Sequence, residues 1–212
     1  MATILHIETS TDVCSVAVSQ DGACIFSEED HDGPNHAIPF DAVAVSCGPG
    51  SYTGLRIGTS IAKGICYGRD LKLLAIPTLE LMAVPVLLRH EEIEDDALLC
   101  PMIDARRMEV YAAIYDRSLK PIREIQADIV DETTYQAFLQ ERPMYFFGNG
   151  AAKCMEKIQH PHAHLIEGIE PLAKWMFPLA EKRFLNEQYE DVAYFVPFYL
   201  KDFIAKQPKN LL

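Results

Sequence analysis

The residues most suggestive of chemistry form a glycine-rich turn that directly follows the apolar run 42–45. The turn reads Gly48-Pro49-Gly50-Ser51-Tyr52-Thr53-Gly54, and small and apolar residues continue beyond it. Glycine is required where the backbone passes close to a phosphate, to another backbone segment or to a packed helix. The G-K-[ST] ending of a P-loop does not occur, so an anion site is the weaker alternative. We favour close helix packing by a small-residue face made of Gly54, Gly58 and Ala62.

Two carboxylates, Glu8 and Asp104, each end an apolar segment that we expect to form a strand. Acids at such positions can hold a metal ion or a water in a cleft, but a strand-end acid in a solvated turn is equally expected. The loop after Glu8 is small and polar, whereas residues 105–108 are bulky where a second phosphate loop should be open. Arg106 and Arg107 could pair with acidic groups of this chain or of a partner.

Three histidines, His160, His162 and His164, could suggest a metal site. Pro161 breaks helical spacing between them, and no acid or cysteine with ligand spacing lies nearby, so we predict a surface loop. Ser51 lacks the G-x-S-x-G pattern around a nucleophilic serine. The sequence therefore predicts no catalytic set and no metal site.

Composition excludes several classes of protein. The 212 residues carry a formal net charge of −12, which argues against direct binding of nucleic acid. None of the six cysteines forms a C-x-x-C pair, and no apolar run approaches the roughly 20 residues that span a bilayer. The N-terminal residues show no leader pattern. We expect a cytoplasmic protein without contact to a membrane.

The elements that must position these residues follow from periodicity. In the first half we predict strands over 3–7, 14–18, 23–27, 41–46 and 71–76, and helices over 53–67 and 79–89. Gly68 is the expected left-handed cap of the first helix, and Thr78 the expected cap of the second. In the second half we predict helices over 131–141, 151–158 and 170–186, and a strand over 144–147. The apolar tail 196–200 should pack back onto the protein.

The two halves resemble each other. Ile7-Glu8-Thr9-Ser10 aligns with Ile103-Asp104-Ala105-Arg106, and a return strand follows in both. An offset of about half a chain favours a duplicated α/β domain with mixed sheets covered by helices. We place the boundary near Asp96, which gives subdomains 1–96 and 97–212.

One connection is too short. Parallel neighbouring strands need a crossover of a dozen or more residues, and the chain offers almost nothing between Asp30 and Pro39. We predict that a segment is absent there, with a Cα–Cα distance above the bonded value.

The chain resembles the TsaB (YeaZ) family over nearly its whole length. The motifs that carry the resemblance are Ile7-Glu8-Thr9-Ser10, the block Gly48 to Gly58, Ile103-Asp104-Ala105-Arg106-Arg107, Gly148-Asn149-Gly150-Ala151 and Pro197-Phe198-Tyr199-Leu200. The resemblance implies a duplicated actin-like ATPase (ribonuclease H-like, ASKHA) fold. It also implies a non-catalytic paralogue of TsaD, which transfers the threonylcarbamoyl group to the adenosine next to the anticodon of tRNAs.

The resemblance further implies how such a chain would act. TsaD would be its partner in a heterodimer, TsaE would join the pair, and ATP and metal would bind to these partners, with no cofactor here. A homodimer is expected when the chain is alone, and tRNA would be contacted only indirectly. The expected partner-binding residues are Leu55, Ile57, Gly58, Ile61, Ala62 and Ile65. Glu8, Asp104 and Arg106 would be a vestigial cleft.

An enzyme of the same fold is the alternative function, either a metallopeptidase of the "glycoprotease" type or an ATP-dependent kinase. A peptidase needs metal ligands, and a kinase needs two open phosphate loops. Tight stoichiometric binding of zinc or ATP by the lone chain would favour the enzyme.

Overall fold

The computed structural model describes residues 2–11, 15–28 and 40–200. The break expected between Asp30 and Pro39 lies outside the described residues. Within the described part of the chain, no helix combines the length and apolar character that a membrane crossing requires.

The first half of the chain forms a five-stranded mixed sheet. Its strands are β1 (Thr3–Glu8), β2 (Ser15–Gln20), β3 (Ala23–Glu28), β4 (Ala42–Gly48) and β5 (Lys72–Pro77). The order is β3-β2-β1-β4-β5, with antiparallel pairs among β1, β2 and β3 and parallel pairs from β1 to β4 and from β4 to β5. Residues 42–45 of β4 are fully buried, as expected for a central strand covered on both faces.

Two helices accompany this sheet, α1 (Tyr52–Arg69) and α2 (Thr78–Arg89). Both cap predictions are wrong. Helix α1 continues through Gly68, and Asp70 adopts the left-handed conformation instead, with φ of 53°. Asp70 is tolerated there because Asp visits this region more readily than most residues. Pro77 occupies the N-cap of α2, so Thr78 is already helical and its buried hydroxyl makes no hydrogen bond within the described structure.

The second half repeats the first. Strands β6 (Leu98–Asp104), β7 (Glu109–Tyr115), β8 (Pro121–Ile129), β9 (Met144–Phe147) and β10 (Ala163–Ile166) form a sheet of order β10-β9-β6-β7-β8. Here too the first three strands pair antiparallel, and β9 pairs parallel with β6 and β10. The strand order and directions match those of the first sheet, so the predicted duplicated, actin-like α/β fold is confirmed.

Several elements of the second half differ from prediction. Strands β8 and β10 were not expected, and His164 lies in β10 and not in a loop. Helices α3 (Gln136–Leu139) and α4 (Ala151–Cys154) are single turns. The helix expected over 170–186 divides into a 3₁₀ turn, Ala173–Trp175, and α5 (Phe177–Leu185). Pro178 explains the division, because proline lacks a donor and fits only the first turn of a helix.

Helix α2 lies between the two sheets. Its Leu79 and Met82 pack with Ile103 of the second sheet, while Leu81 packs with Ile4 of the first. The segment from the 3₁₀ turn through α5 also returns to the first sheet, where Met176, Leu179 and Ala180 join the core. The boundary after Asp96 stays a prediction.

Candidate functional site

The glycine-rich turn packs against the loop that follows β1. An added Cβ at Gly54 would overlap the carbonyl oxygen of Thr9, one at Gly58 would overlap the Thr9 hydroxyl, and one at Gly50 would lie 2.5 Å from the Ser10 carbonyl oxygen. We call this arrangement, Gly50, Gly54 and Gly58 against Thr9 and Ser10, the α1 seat. Its glycines allow one backbone segment to approach another, which agrees with close helix packing.

Hydrogen bonds fasten the α1 seat. The Ser51 amide donates to the Ser10 carbonyl oxygen at 2.7 Å, and the Thr9 hydroxyl donates to the Gly54 carbonyl oxygen at 2.9 Å. The Ser51 hydroxyl accepts from the Gly54 amide at 3.3 Å and so caps α1. Ser51 therefore has a structural role at the start of the helix.

Glu8 lies beneath the α1 seat and is fully buried. Its Oε1 accepts from the Ser10 amide at 2.5 Å, and its Oε2 accepts from the Ser46 hydroxyl. Burial raises the pKa of Glu8 to about 7, although these hydrogen bonds oppose the shift. His6, on the same face of β1, offers no counter-charge, because burial lowers its pKa to about 3.

Glu8 is expected to make stability depend on pH. Its folded pKa lies above the ordinary value of 4.5, so its stabilising contribution is complete below pH 4.5 and is lost as the pH rises through 7. Glu8→Gln should remove this dependence, which amounts to about 3 kcal/mol in the free energy of unfolding. Urea unfolding at pH 5 and pH 8 measures it, with exposed Glu141→Gln as the control. Equal pH dependence in wild type and Glu8→Gln would contradict the assignment.

Asp104 occupies the corresponding position at the end of β6 but is half exposed. Its Oδ1 accepts from the Lys153 ammonium at 2.5 Å and from the Arg106 amide at 3.0 Å. Partial burial opposes ionisation, but these bonds outweigh it and hold the pKa of Asp104 below its usual value. The carboxyl groups of Glu8 and Asp104 thus accept hydrogen bonds from separate sets of neighbours.

The histidine-rich segment has structural partners. His162 Nδ1 lies 2.8 Å from the Leu139 carbonyl oxygen, and the His164 ring stacks on Tyr145 at 4.9 Å. Among residues 2–11, 15–28 and 40–200, no three His, Cys, Asp or Glu side chains are grouped as ligands for a metal ion.

The six residues predicted to bind a partner divide between two faces of α1. Leu55, Gly58 and Ala62 are buried against the rest of the chain, and the partner-binding role predicted for them stays a prediction. The helical repeat explains the division, because residues 55, 58 and 62 lie opposite residues 57 and 64. Ile65 is partly buried beside that core.

Ile57 and Ile61 face solvent, with 52% and 48% of their surface exposed. Around them lie three further exposed residues that the sequence analysis did not assign to partner binding, Ser60, Gly64 and Gly68. We call these five residues the outer face of α1. An added Cβ at Gly64 or Gly68 would meet nothing within 4 Å, so neither glycine is required by the chain's own packing.

The segment 191–199, which we call the strap, borders α1. The Phe198 amide donates to the Cys47 carbonyl oxygen at 2.7 Å, and the Tyr199 ring lies 4.9 Å from that of Tyr52. The Lys63 ammonium donates to the carbonyl oxygens of Ala193 and Phe195 at 3.1 and 3.0 Å. The prediction that the apolar tail packs back is confirmed for Phe198 and Tyr199.

Comparisons with known proteins agree with this architecture. The family model of TsaD, tRNA N6-adenosine threonylcarbamoyltransferase, matches residues 37–209. The tRNA threonylcarbamoyladenosine biosynthesis protein TsaB of Escherichia coli K12 is 28% identical over 95% of this chain and 96% of its own length. TsaB of Bacillus subtilis 168 is 27% identical over 74% of this chain and 75% of its own.

Solved structures show the same fold. A Pseudomonas aeruginosa protein described as similar to peptidase YeaZ superposes with a TM-score of 0.79 at 23% identity, over 95% of this chain and all of the other. YeaZ from the same organism gives 0.74 at 23% identity, over 94% of this chain and all of the other. The chain belongs to the family of the TsaD model, and within it to the TsaB (YeaZ) proteins.

Proposed function

We propose that the chain acts in the biosynthesis of threonylcarbamoyladenosine in tRNA as a non-catalytic subunit that docks TsaD through the outer face of α1. Its role in this biosynthesis follows from its TsaB relatives. The docking role is supported above all by the chemistry of the outer face. There, two isoleucines, two glycines and a serine stand where a solvated helix would carry charges.

Glycine in an exposed helix interior costs about 1 kcal/mol relative to alanine. Gly64 and Gly68 bear this cost without any contact that requires them. Small residues four apart on a helix permit the close approach of a second helix. Ile57 and Ile61 supply apolar area on the same face. A helix of a partner subunit fits this combination.

The two acids at the strand ends support a role without catalysis. The Glu8 carboxyl is enclosed by Ser10 and Ser46, and the Asp104 carboxylate is paired with Lys153. A residue that handles substrate must present its reacting atom to that substrate. Glu8 does not do so, because its carboxyl is fully buried.

The proposal includes the wider assembly. The isolated chain would self-associate through the outer face of α1, and TsaD would replace the second copy. TsaE would join the heterodimer, tRNA would be contacted through the partners, and the complex would work in the cytoplasm.

Ile61→Asp is expected to weaken binding to TsaD at least about 100-fold, because the contact would bury an unpaired carboxylate. Titration calorimetry against purified TsaD measures the affinity. Ile129→Asp is the matched control, since Ile129 is also exposed but lies on β8. Reconstituted tRNA modification should fall with the affinity, and light scattering should show a monomer. Full binding and full modification by Ile61→Asp would overturn the docking role.

A further inference from the structure

The turn between β6 and β7 has an unusual backbone. Arg106 and Arg107 both have positive φ, 73° and 52°, in consecutive positions. Side chains larger than glycine are disfavoured there, because the Cβ crowds the neighbouring carbonyl oxygen. Glycine would fit the same turn without strain, so the presence of two arginines calls for an explanation outside the fold.

Lys153 holds this turn in place. Its ammonium donates to three oxygens: Asp104 Oδ1 at 2.5 Å, the Arg107 carbonyl at 2.5 Å and the Glu109 carbonyl at 2.8 Å. The turn is closed further by the Ala105 amide, which donates to the Glu109 carbonyl oxygen at 3.1 Å. All three protons of the ammonium are thereby used inside the protein. The backbone that carries the two arginines is therefore held by four hydrogen bonds.

Both arginines are exposed. Within the part of the chain that the structure describes, neither guanidinium has a hydrogen bond or an ion pair, although the charge of Arg106 helps to lower the pKa of Asp104. Yet the whole chain carries 31 acidic against 19 basic residues, so acidic groups are plentiful. Two adjacent guanidinium groups on a fixed turn form a basic site on an acidic protein.

We propose that the Arg106–Arg107 turn binds a carboxylate-bearing surface of a protein partner. A guanidinium matches a carboxylate with two parallel hydrogen bonds, and a fixed backbone reduces the entropy lost on binding. RNA is disfavoured, because a chain of net charge −12 repels a polyanion and two arginines neutralise few phosphates. The inference rests on the proposed function, since it places the chain inside a protein complex.

The test compares two double variants of the full chain. Arg106→Gly/Arg107→Gly removes both side chains and relieves the backbone, so the variant should be as stable as wild type or more stable. Lys120→Ala/Lys182→Ala, which removes two exposed charges elsewhere, is the control. Affinity for purified TsaD, for TsaD with TsaE, and for unmodified tRNA is measured at low and high salt.

We expect the arginine variant to bind one of the protein assemblies about tenfold more weakly at about 0.1 M salt, a difference that shrinks at about 0.5 M. Affinity equal to that of the lysine control would overturn the inference alone. A loss confined to tRNA would overturn it in favour of RNA. If wild type binds neither TsaD nor the pair, the proposed function fails and the inference with it.

Discussion

Gly54→Ala is expected to destabilise the protein by several kcal/mol, the scale of severe overpacking against a fixed backbone. The added methyl would overlap the Thr9 carbonyl oxygen, which belongs to backbone and cannot rotate away. Either α1 moves outward or the loop after β1 moves, and both movements break the Ser51–Ser10 hydrogen bond. Chemical denaturation measures the loss, and binding to TsaD should weaken as the outer face shifts with the helix.

Gly64→Ala is the matched control on the same helix. Its methyl would meet nothing within 4 Å, so the isolated chain should gain about 1 kcal/mol from helix propensity. If alanine at both positions changed the free energy of unfolding equally, the α1 seat would have no energetic basis. A Gly64→Ala variant that is more stable but binds TsaD less well would separate folding from docking.

Asp128→Ala is expected to destabilise the protein by about 3 kcal/mol, the scale of breaking a buried ion pair. Arg123 and Asp128 form a bidentate pair, with 2.5 and 3.2 Å contacts, and their side chains are 16% and 8% exposed. The Tyr135 hydroxyl donates to the same carboxylate at 2.6 Å. Removal of Asp128 leaves a guanidinium and a phenol without their acceptor in a nearly dry environment. Thermal and urea unfolding both measure the effect.

The exposed Arg117–Asp95 pair provides the comparison, because Asp95 is fully accessible and its contact of 2.7 Å lies between the two contacts of the buried pair. Asp95→Ala should cost less than about 1 kcal/mol. The double variant Arg123→Met/Asp128→Leu should recover most of the stability lost by Asp128→Ala. If Asp128→Ala lowered the free energy of unfolding no more than Asp95→Ala does, water would already reach the Arg123–Asp128 pair.

The duplication could be predicted because its signals are local. Strands β1 and β4 consist mainly of apolar residues, and Glu8 and Asp104 mark matching strand ends in the two halves. Strand β8 escaped prediction because it lies at the sheet edge, where polar residues such as Glu124 and Gln126 face solvent. Its pairing with the preceding strand β7 stabilises it, and that pairing is not visible in the residue pattern of β8 alone.

The candidate site could likewise be predicted only in part. The glycines of α1 were identified, but the sequence could not tell which side of the helix the core would cover. Gly64 was not selected, and Gly68 was assigned to the end of the helix, because glycine in a helix is unfavourable when no partner requires it. The hydrogen bonds by which Lys153 holds the Arg106–Arg107 turn could not be predicted, since Lys153 lies 49 residues from Asp104 along the chain.

The strap has a consequence for biogenesis. The Lys63 ammonium donates its hydrogen bonds to carbonyl oxygens that lie 130 and 132 residues further along the chain. On the ribosome, α1 therefore emerges long before the segment that flanks it has been translated. Under the proposed docking role, the surface around α1 is completed late, and this timing would favour pairing between finished chains over binding of a nascent one.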